Sequence, residues 1–298
     1  MLVIAGILGA IAAGTAVGLL NGDDDTDHDD EFSEKKEDRE QEEHSPSFAE
    51  NEAGEAVSGW HDLLGVANRT PSGPDDDLIR GSDAADDLIG GDGNDTLLGY
   101  GGNDWLYGDD APFAAGDDDL HGGDGDDRLA GGGGNDALFG DAGDDRMVGG
   151  IGNDVMHGGT GNDWLEACEG DDLLAGGEGD DDLSGGRGDD TLLGGAGADS
   201  LHGGEGDDRL VGGDGDWLDG NEGDDVFVVT HEGRDIAHIS DYGLGERIEI
   251  VVDDPDTADL TVTEDKDGNR LVLINGTPVL MVHKGDELLA ADIALVRE

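Results

Sequence analysis

Residues 122–166 read GGDGDDRLA, GGGGNDALF, GDAGDDRMV, GGIGNDVMH and GGTGNDWLE, which are five consecutive copies of one nine-residue unit. The unit has the form G-G-x-G-x-D-x-U-x, where U is a large apolar residue. Sixteen units can be aligned between Gly81 and Val228, and each of them has Asp at its sixth position. A short fixed period of this kind is typical of a stacked solenoid, in which each coil packs only against its neighbours.

The residue types within one unit predict its local structure. Because Gly tolerates positive φ, we expect the first six positions to form a turn and the last three a short strand. Side chains alternate across a strand, so position eight should face inward and positions seven and nine outward. Position eight is Leu in thirteen of the sixteen units, and the other three are Met147, Met156 and Phe227. The predicted core is therefore one residue wide.

The same alternation places several large side chains outside the core. Three tryptophans fall at position seven and three histidines at position nine: Trp105, Trp164, Trp217, His121, His157 and His202. We interpret them as a scattered, partly exposed set, in preference to an aromatic binding strip or a histidine metal site.

The charge of the chain bears on its partners. Its 298 residues include 76 acidic and 15 basic side chains, which gives a formal net charge of -61. This charge repels nucleic-acid phosphates and attracts cations. Stacked turns would bring position-six carboxylates about 4.8 Å apart, where two unit charges repel by roughly 0.9 kcal/mol even in water. We therefore expect folding to require a cation, and Ca²⁺ suits carboxylate and carbonyl ligands better than Mg²⁺, which prefers octahedral geometry and keeps its waters.

The sixteen in-phase copies resemble the repeats-in-toxin (RTX) family, also called haemolysin-type calcium-binding proteins, over about 150 residues. The resemblance implies an all-β fold, a parallel β-roll (β-solenoid) in which two units form one coil. Sixteen units would give eight coils and up to about fourteen Ca²⁺ ions, seven along each side. It also implies that backbone carbonyls and the position-six aspartates are the metal ligands, namely Asp86, Asp95, Asp104, Asp118, Asp127, Asp136, Asp145, Asp154, Asp163, Asp172, Asp181, Asp190, Asp199, Asp208, Asp216 and Asp225.

Some units depart from the pattern. The unit from Gly81 lacks its second and third glycines. In the unit from Gly99, Tyr100 stands where the second glycine is expected. Residues 108–112 are an insertion that we expect to bulge as a loop, and residues 212–219 form a unit that is one residue short. Because the weak units cluster toward the amino terminus, we expect the tightest sites within residues 122–211.

Ala167 and Cys168 replace the Gly pair of another unit. Cys168 is the single cysteine, so the chain can form no intramolecular disulfide and no cysteine metal cluster. We interpret it as a small residue tolerated in a turn.

The amino-terminal region differs in composition from the repeats. Residues 1–20 carry no charged side chain and are long enough to span a bilayer, so they indicate a membrane anchor or, as the alternative, a cleaved signal segment. Residues 21–77 are acidic and poor in large apolar residues, which predicts a disordered linker. Within it, WHDLLGV at residues 60–66 is expected to pack on the first coil.

Residues 230–298 are predicted to form a C-terminal β capping domain for the roll of residues 78–229. The dipeptides Asp267-Gly268 and Asn275-Gly276 indicate hairpin turns. EDKDGNR at residues 264–270 lacks the ligand spacing of an EF-hand, so a hairpin turn is the better interpretation. The tail at residues 288–298 weakly resembles the export signal of the same family.

The function predicted from these features is calcium binding. The chain contains no H-E-x-x-H and no G-x-S-x-G motif, so we do not expect an enzyme. The favoured hypothesis is a secreted or surface-tethered module that folds on Ca²⁺ in the extracellular space, with membrane association through residues 1–20. The alternative is a surface adhesion protein that uses the calcium-loaded roll as a scaffold for a cell-surface or polysaccharide partner.

Overall fold

The repeats fold into two sheets of mainly parallel strands with a narrow apolar core between them. The computed structural model describes residues 73–109, 116–231, 233, 235–283 and 288–297, all within one unit that spans Ser58–Glu298. A 3₁₀ helix at Ala290–Asp292 precedes the last strand. The strands are β1 (Leu78–Arg80), β2 (Asp87–Ile89), β3 (Thr96–Gly101), β4 (Trp105–Tyr107), β5 (Asp119–Asp124), β6 (Arg128–Gly133), β7 (Ala137–Ala142), β8 (Arg146–Ile151), β9 (Val155–Thr160), β10 (Trp164–Glu169), β11 (Leu173–Glu178), β12 (Asp182–Arg187), β13 (Thr191–Ala196), β14 (Ser200–Glu205), β15 (Arg209–Gly212), β16 (Trp217–Glu222), β17 (Val226–Val229), β18 (Ala237–Ile239), β19 (Arg247–Val251), β20 (Leu260–Glu264), β21 (Arg270–Ile274), β22 (Thr277–Val282) and β23 (Ile293–Val296).

Successive strands of the repeat block alternate between the two sheets. Sheet A holds the odd-numbered strands in the order β1 to β19 and then β23, and sheet B holds the even-numbered strands β2 to β18, followed by β22, β21 and β20. Leu174 of β11 pairs with Leu192 of β13, which is 18 residues further along the chain. Two nine-residue units therefore make one coil, and the fold is an all-β parallel solenoid, as predicted.

The core is the predicted one. The side chain at position eight is buried in all sixteen units, from Leu88 to Phe227. The tryptophans at position seven and the histidines at position nine are intermediate or exposed, which confirms that these positions face outward.

The strands are longer than predicted. Most repeat strands have six residues, because β12, for example, continues from Asp182 through the first three residues of the next unit. The pairing of Gly186 with Gly204 shows that the first glycines of each unit still belong to the parallel ladder. The expectation that positions one to six form the turn was wrong in this respect: glycine adopts positive φ at position two, as at Gly186 (φ 113), without ending the strand.

The two irregular units change the sequence separation between paired residues of neighbouring coils. Leu97 pairs with Leu120, a separation of 23 residues, which is the normal 18 plus the five inserted ones. Leu201 pairs with Leu218, a separation of 17, as the short unit requires. The predicted bounds of the insertion, residues 108–112, were wrong: the backbone N–H groups of Gly108 and Asp109 donate to Ala130 and Gly131 on the next coil, so these two residues begin the regular unit of Asp118 and the extra residues follow Asp109. Residues 110–115 lie outside the described residues.

The stack extends beyond both ends of the predicted block, so the solenoid has about nine turns rather than the eight predicted. β1 precedes Gly81 and pairs in parallel with β3. Beyond Val229, β18 and β19 continue sheets B and A in parallel. These outer strands carry apolar residues at the right spacing but lack the glycines of the repeat, which is why the nine-residue pattern does not include them.

After the last parallel strands, β20, β21 and β22 form an antiparallel meander at one edge of sheet B. Glu264 pairs with Arg270, and the Asp265 carboxylate accepts hydrogen bonds from the backbone N–H groups of Asp267 and Asn269 at 2.8 and 2.9 Å. The hairpin interpretation of this stretch is confirmed. Asn275 (φ 54) and Gly276 (φ 82) form the second predicted turn.

The predictions for residues 1–72 fall outside the described residues, including the apolar segment, most of the acidic linker and WHDLLGV. The predicted end of the linker at residue 77 was too late, because Asp77 already hydrogen-bonds to Asp95 and Thr96 of the roll. In the part of the chain that is described, no helix is long and apolar enough to cross a bilayer.

Candidate metal centre

The sixteen position-six aspartates form two aspartate columns, one along each edge of the stack where the chain turns between the sheets. All sixteen side chains are buried. Every predicted site residue therefore takes an equivalent place. The first column contains Asp86, Asp104, Asp127, Asp145, Asp163, Asp181, Asp199 and Asp216, and the second contains Asp95, Asp118, Asp136, Asp154, Asp172, Asp190, Asp208 and Asp225.

Each carboxylate is oriented by the coil before it. Oδ1 of Asp145 accepts a hydrogen bond from the backbone N–H of Asp127 at 2.8 Å, and Oδ1 of Asp154 accepts one from Asp136 at 2.8 Å. The same bond recurs through both columns at 2.7–2.9 Å. With the bond from Asp77 to Asp95, backbone geometry thus holds Oδ1 in place in fifteen of the sixteen carboxylates.

The other oxygen has no donor. Among the described residues, Oδ2 is buried without a hydrogen-bond partner in fourteen of the sixteen aspartates. The two exceptions are Asp86, whose Oδ2 accepts from Ser82, and Asp216, whose Oδ2 accepts from the N–H of Gly213 at 2.6 Å. Leaving a buried carboxylate oxygen unpaired is unfavourable, and a cation beside it would remove that cost.

The first glycine of each unit leaves room for this oxygen. A Cβ added to Gly185 would lie closer than 3.0 Å to both Oδ2 of Asp190 and the backbone oxygen of Gly203 on the next coil. The carboxylate oxygen and the carbonyl oxygen therefore converge on the place where any other residue would carry a methyl group. Ala167 is the exception in the central repeats, since its fully buried methyl group occupies that place in the unit of Asp172.

Burial changes the acidity of the aspartate columns. Desolvation raises the pKa of Asp145, Asp154 and Asp190 to about 7, and repulsion from neighbouring carboxylates adds to the rise. The backbone hydrogen bond to Oδ1 opposes the shift but does not cancel it. The same causes raise the pKa of Asp163 to about 6. Without a cation, these carboxyl groups would therefore bind protons near neutral pH.

The donors available at the columns are all oxygen atoms, from carboxylates and backbone carbonyls. No group of three or more His, Cys, Asp or Glu side chains is placed to hold a metal in the described part of the chain. A site here would thus combine few carboxylates with several carbonyls. Ca²⁺ accepts six to eight such ligands, so the residues present fit Ca²⁺.

The second aspartate column extends at both ends beyond the residues predicted from the sequence. The backbone N–H of Asp77 donates to Oδ1 of Asp95 at 2.7 Å, so the second column starts before Gly81. At the other end, Glu246 takes the position-six place after Asp225, because Arg247 pairs with Val226. Its carboxylate accepts from the N–H of Gly243 at 2.6 Å, and burial raises its pKa to about 7. The sequence signal that could have identified these ends is an acidic residue two positions before a large apolar one, as in DLI at residues 77–79 and ERI at residues 246–248.

A second, exposed series of hydrogen bonds links the same turns, with donor and acceptor in the opposite order along the chain. At position five, Oδ1 of Asp117 accepts from the backbone N–H of Asn135 at 2.8 Å, and Oδ1 of Asn135 accepts from Asn153 at 2.9 Å. Here the acceptor lies one coil before the donor. The Asn or Asp at position five of most units is therefore a structural residue at the solvent-exposed surface of the turn.

Comparison with known proteins adds a family. The model of the RTX calcium-binding nonapeptide repeat, four copies long, matches residues 80–111, 114–147, 148–183, 157–192, 184–216 and 202–229. The crystal structure of the extracellular lipase LipA from Serratia marcescens matches with 17% identity over 76% of this chain and 41% of the lipase, at a TM-score of 0.19. This chain spans less than half of that lipase, and so low a score supports no conclusion. No curated protein matches the chain.

Proposed function

Since residues 80–229 of this chain belong to the RTX family of calcium-binding nonapeptide repeats, we propose that the protein is a calcium-binding module whose roll folds when it meets Ca²⁺ outside the cell. The observation that carries the proposal is the set of fourteen buried Oδ2 atoms without hydrogen-bond partners in the described residues. They lie at repeated positions along two columns, where a cation would satisfy them.

The ligands in this proposal are oxygens of the turns. Oδ2 of each position-six aspartate supplies negative charge, and backbone carbonyls near the first glycines supply neutral ligands, as Asp190 and Gly203 illustrate. The backbone N–H groups one coil earlier hold Oδ1 and so fix the direction of Oδ2. Bound Ca²⁺ would supply the positive charge that keeps these buried carboxylates ionised. About fourteen ions, seven along each side, is the number proposed from the sixteen repeats.

Folding is coupled to the metal in this proposal. A ligand that binds only the folded state stabilises it by mass action. The metal-free roll would hold buried carboxylates in two columns with no opposite charge beside them, which opposes folding at neutral pH. Extracellular calcium modules commonly have dissociation constants of about 10⁻⁴–10⁻³ M. Such a roll would therefore fold where the calcium concentration reaches this range and stay unfolded where it is lower.

The composition of the amino-terminal region supports the proposed export and tethering. Residues 1–20 are uncharged and apolar, and they would act as an anchor or a cleaved signal. The part of the acidic stretch 21–77 that precedes the roll would act as a tether, and residues 230–298 as the cap of the roll. Fractionation of the native protein tests the anchor: it should be found in membranes with its amino terminus intact, whereas a soluble form that starts near residue 13 would show cleavage.

Circular dichroism of the full chain tests calcium-driven folding. At pH 8 without calcium we expect little strand signal, and millimolar Ca²⁺ should produce it cooperatively. The same concentration of Mg²⁺ is the matched control and should have a much smaller effect, because Mg²⁺ prefers octahedral sites and keeps its waters. A complete strand signal in calcium-free buffer would contradict the proposal.

Surface adhesion remains the second candidate, and the outer face of sheet A favours it. Val155 and Leu173 are neighbours in the ladder and are 43% and 39% exposed. A shallow cavity of about 290 Å³ lies on the same sheet, lined by Leu98, Tyr100, His121, Gly122, Gly123 and Asp141. A pull-down from intact cells or polysaccharide tests this function. Binding should need Ca²⁺ and should be lost in a Val155→Ser, Leu173→Ser variant; a variant that still binds would contradict the use of this face.

A further inference from the structure

Two histidines from distant parts of the chain meet on the outer face of sheet B. His238 lies on β18, and His283 directly follows β22, which is the neighbouring parallel strand. Nδ1 of His238 and Nε2 of His283 are 2.9 Å apart. We call these two residues the imidazole pair. They are 45 residues apart in sequence and lie outside the aspartate columns.

Trp217 holds the imidazole pair in place. Its ring centroid lies 4.6 Å from that of His238 and 5.0 Å from that of His283, with interplanar angles of 7° and 17°. Both imidazoles therefore stack on the indole while their nitrogens face each other. Trp217 pairs with His238 in the ladder between β16 and β18, so the backbone register fixes this arrangement. The cluster is partly open, because Trp217 is 47% exposed.

We propose that Nδ1 of His238 and Nε2 of His283 form a binding site for a divalent transition-metal ion such as Cu²⁺ or Ni²⁺. These ions prefer square-planar or tetragonal coordination, in which metal–nitrogen bonds of about 2.0–2.1 Å at an angle of about 90° place two ligands about 2.9 Å apart. The observed separation of 2.9 Å matches this value. The two nitrogens share a hydrogen bond at this spacing, and a bound metal would displace the proton between them.

The chemistry of this site differs from that of the aspartate columns. Imidazole nitrogen prefers Zn²⁺, Ni²⁺ and Cu²⁺, whereas carboxylate and carbonyl oxygens prefer Ca²⁺. The net charge of -61 attracts cations to the whole surface.

The site supplies two side-chain ligands. No third His, Cys, Asp or Glu is placed to complete a metal cluster in the described residues, so water would fill the remaining positions. A metal ion with exchangeable water positions can also accept a donor from a second molecule. The imidazole pair is therefore a site of modest affinity, open to solvent or to a partner's ligand.

Tryptophan fluorescence tests the proposal, because Cu²⁺ bound at the imidazole pair would be in contact with Trp217. We would titrate Cu²⁺ into the full chain at pH 7.5 in saturating Ca²⁺, so that the oxygen sites are filled and the roll is folded. The expected result is saturable quenching at one equivalent. His238→Gln and His283→Gln should each weaken this binding at least tenfold. Circular dichroism would confirm that each variant is folded.

His157→Gln is the matched control, since this histidine is exposed on sheet A and should leave the titration unchanged. Calorimetry with Ni²⁺ gives a second readout that does not depend on fluorescence: one equivalent should bind to the Trp217→Phe variant and none to the His238→Gln, His283→Gln double variant. Equal binding by the double variant and the His157→Gln control would overturn the proposal, as would the lack of any one-equivalent site in the unaltered chain.

Discussion

Asp127 donates its backbone N–H to Oδ1 of Asp145 at 2.8 Å, while Oδ2 of Asp145 is buried with no hydrogen-bond partner. Repeated along both edges of the roll, this relationship separates the two oxygens in fourteen of the sixteen position-six carboxylates. One is used for folding geometry and the other faces a place that a cation would fill. The aspartate columns are therefore structural elements whose stability depends on the ions around them.

Asp145→Asn tests this division of roles. The variant keeps an oxygen for the Asp127 hydrogen bond but replaces the charged Oδ2 by an NH₂ group, which is no ligand for Ca²⁺. We expect the calcium concentration at the midpoint of folding to rise on the order of tenfold, which corresponds to about 1.4 kcal/mol. Circular dichroism during a calcium titration measures the midpoint.

The matched control for this variant is Asp126→Asn, at the exposed position five of the unit one coil earlier. Oδ1 of Asp126 accepts from the N–H of Asp144 at 3.2 Å, and an asparagine can keep that bond. We expect a much smaller change in the calcium midpoint. Equal shifts for the two variants would show that lost negative charge, and not a lost ligand, explains the effect.

The raised pKa values predict how pH acts on the calcium-free chain. Burial raises the pKa of Asp136 and Asp145 to about 7 in the fold, from about 4 in an unfolded chain. The folded state therefore binds protons more tightly, so its stability is greatest below pH 4 and falls as the pH rises through about 7. Without calcium, strand signal should increase as the pH is lowered from 8 to 5.

Protons and Ca²⁺ should compete for the same carboxylates. In calcium titrations, we expect the folding midpoint to move to higher calcium concentration as the pH falls below about 7, with protons released on binding. Calcium-stripped protein in chelator-free buffer is needed, because chelators lose affinity in acid. A strand signal without calcium that stays constant from pH 8 to 5 would be inconsistent with buried, ionisable columns.

The first glycine of a unit should be intolerant of a methyl group. In Gly176→Ala, the new Cβ would lie closer than 3.0 Å to Oδ2 of Asp181 and the backbone oxygen of Gly194. We expect this variant to need more calcium to fold. The reverse change, Ala167→Gly, should lower the calcium midpoint, because it removes the methyl group that Ala167 places beside Asp172. If both changes move the midpoint in the same direction, the crowding argument is wrong.

Neighbouring leucines on β13 test the narrow core. Leu192 is fully buried at position eight, whereas Leu193 is 36% exposed at position nine. Leu192→Ala should lower the free energy of unfolding in saturating Ca²⁺ by about 2–5 kcal/mol, the usual cost of such a cavity. Leu193→Ala should cost less than about 1 kcal/mol. Denaturant unfolding measures both, and similar losses would contradict the assigned alternation.

Much of the fold could be predicted from the repeat because its information is local. The apolar residue at position eight recurs at a fixed period, so a stacked solenoid with inward leucines follows from spacing. The parallel β-roll with two units per coil, and with it two columns of position-six aspartates, was implied by the resemblance to the RTX family. The five-residue insertion and the short unit at residues 212–219 were also visible, and the register changes to 23 and 17 residues confirm their lengths. The insertion was placed two residues too early, because Gly108 and Asp109 still pair with the next coil.

Three features were decided by tertiary structure. Oδ1 and Oδ2 of Asp145 differ because a backbone N–H from another coil reaches only one of them, and a sequence pattern does not distinguish two oxygens of one carboxylate. Outer strands such as β1 join the stack by pairing with an existing sheet edge, which needs an apolar residue but no glycine motif. His238 and His283 meet because β18 and β22 are neighbours in sheet B despite 45 residues between the two side chains. Sequence alone determined what repeats along the chain, whereas contacts between non-repeating segments depend on strand order, which only the assembled sheets define.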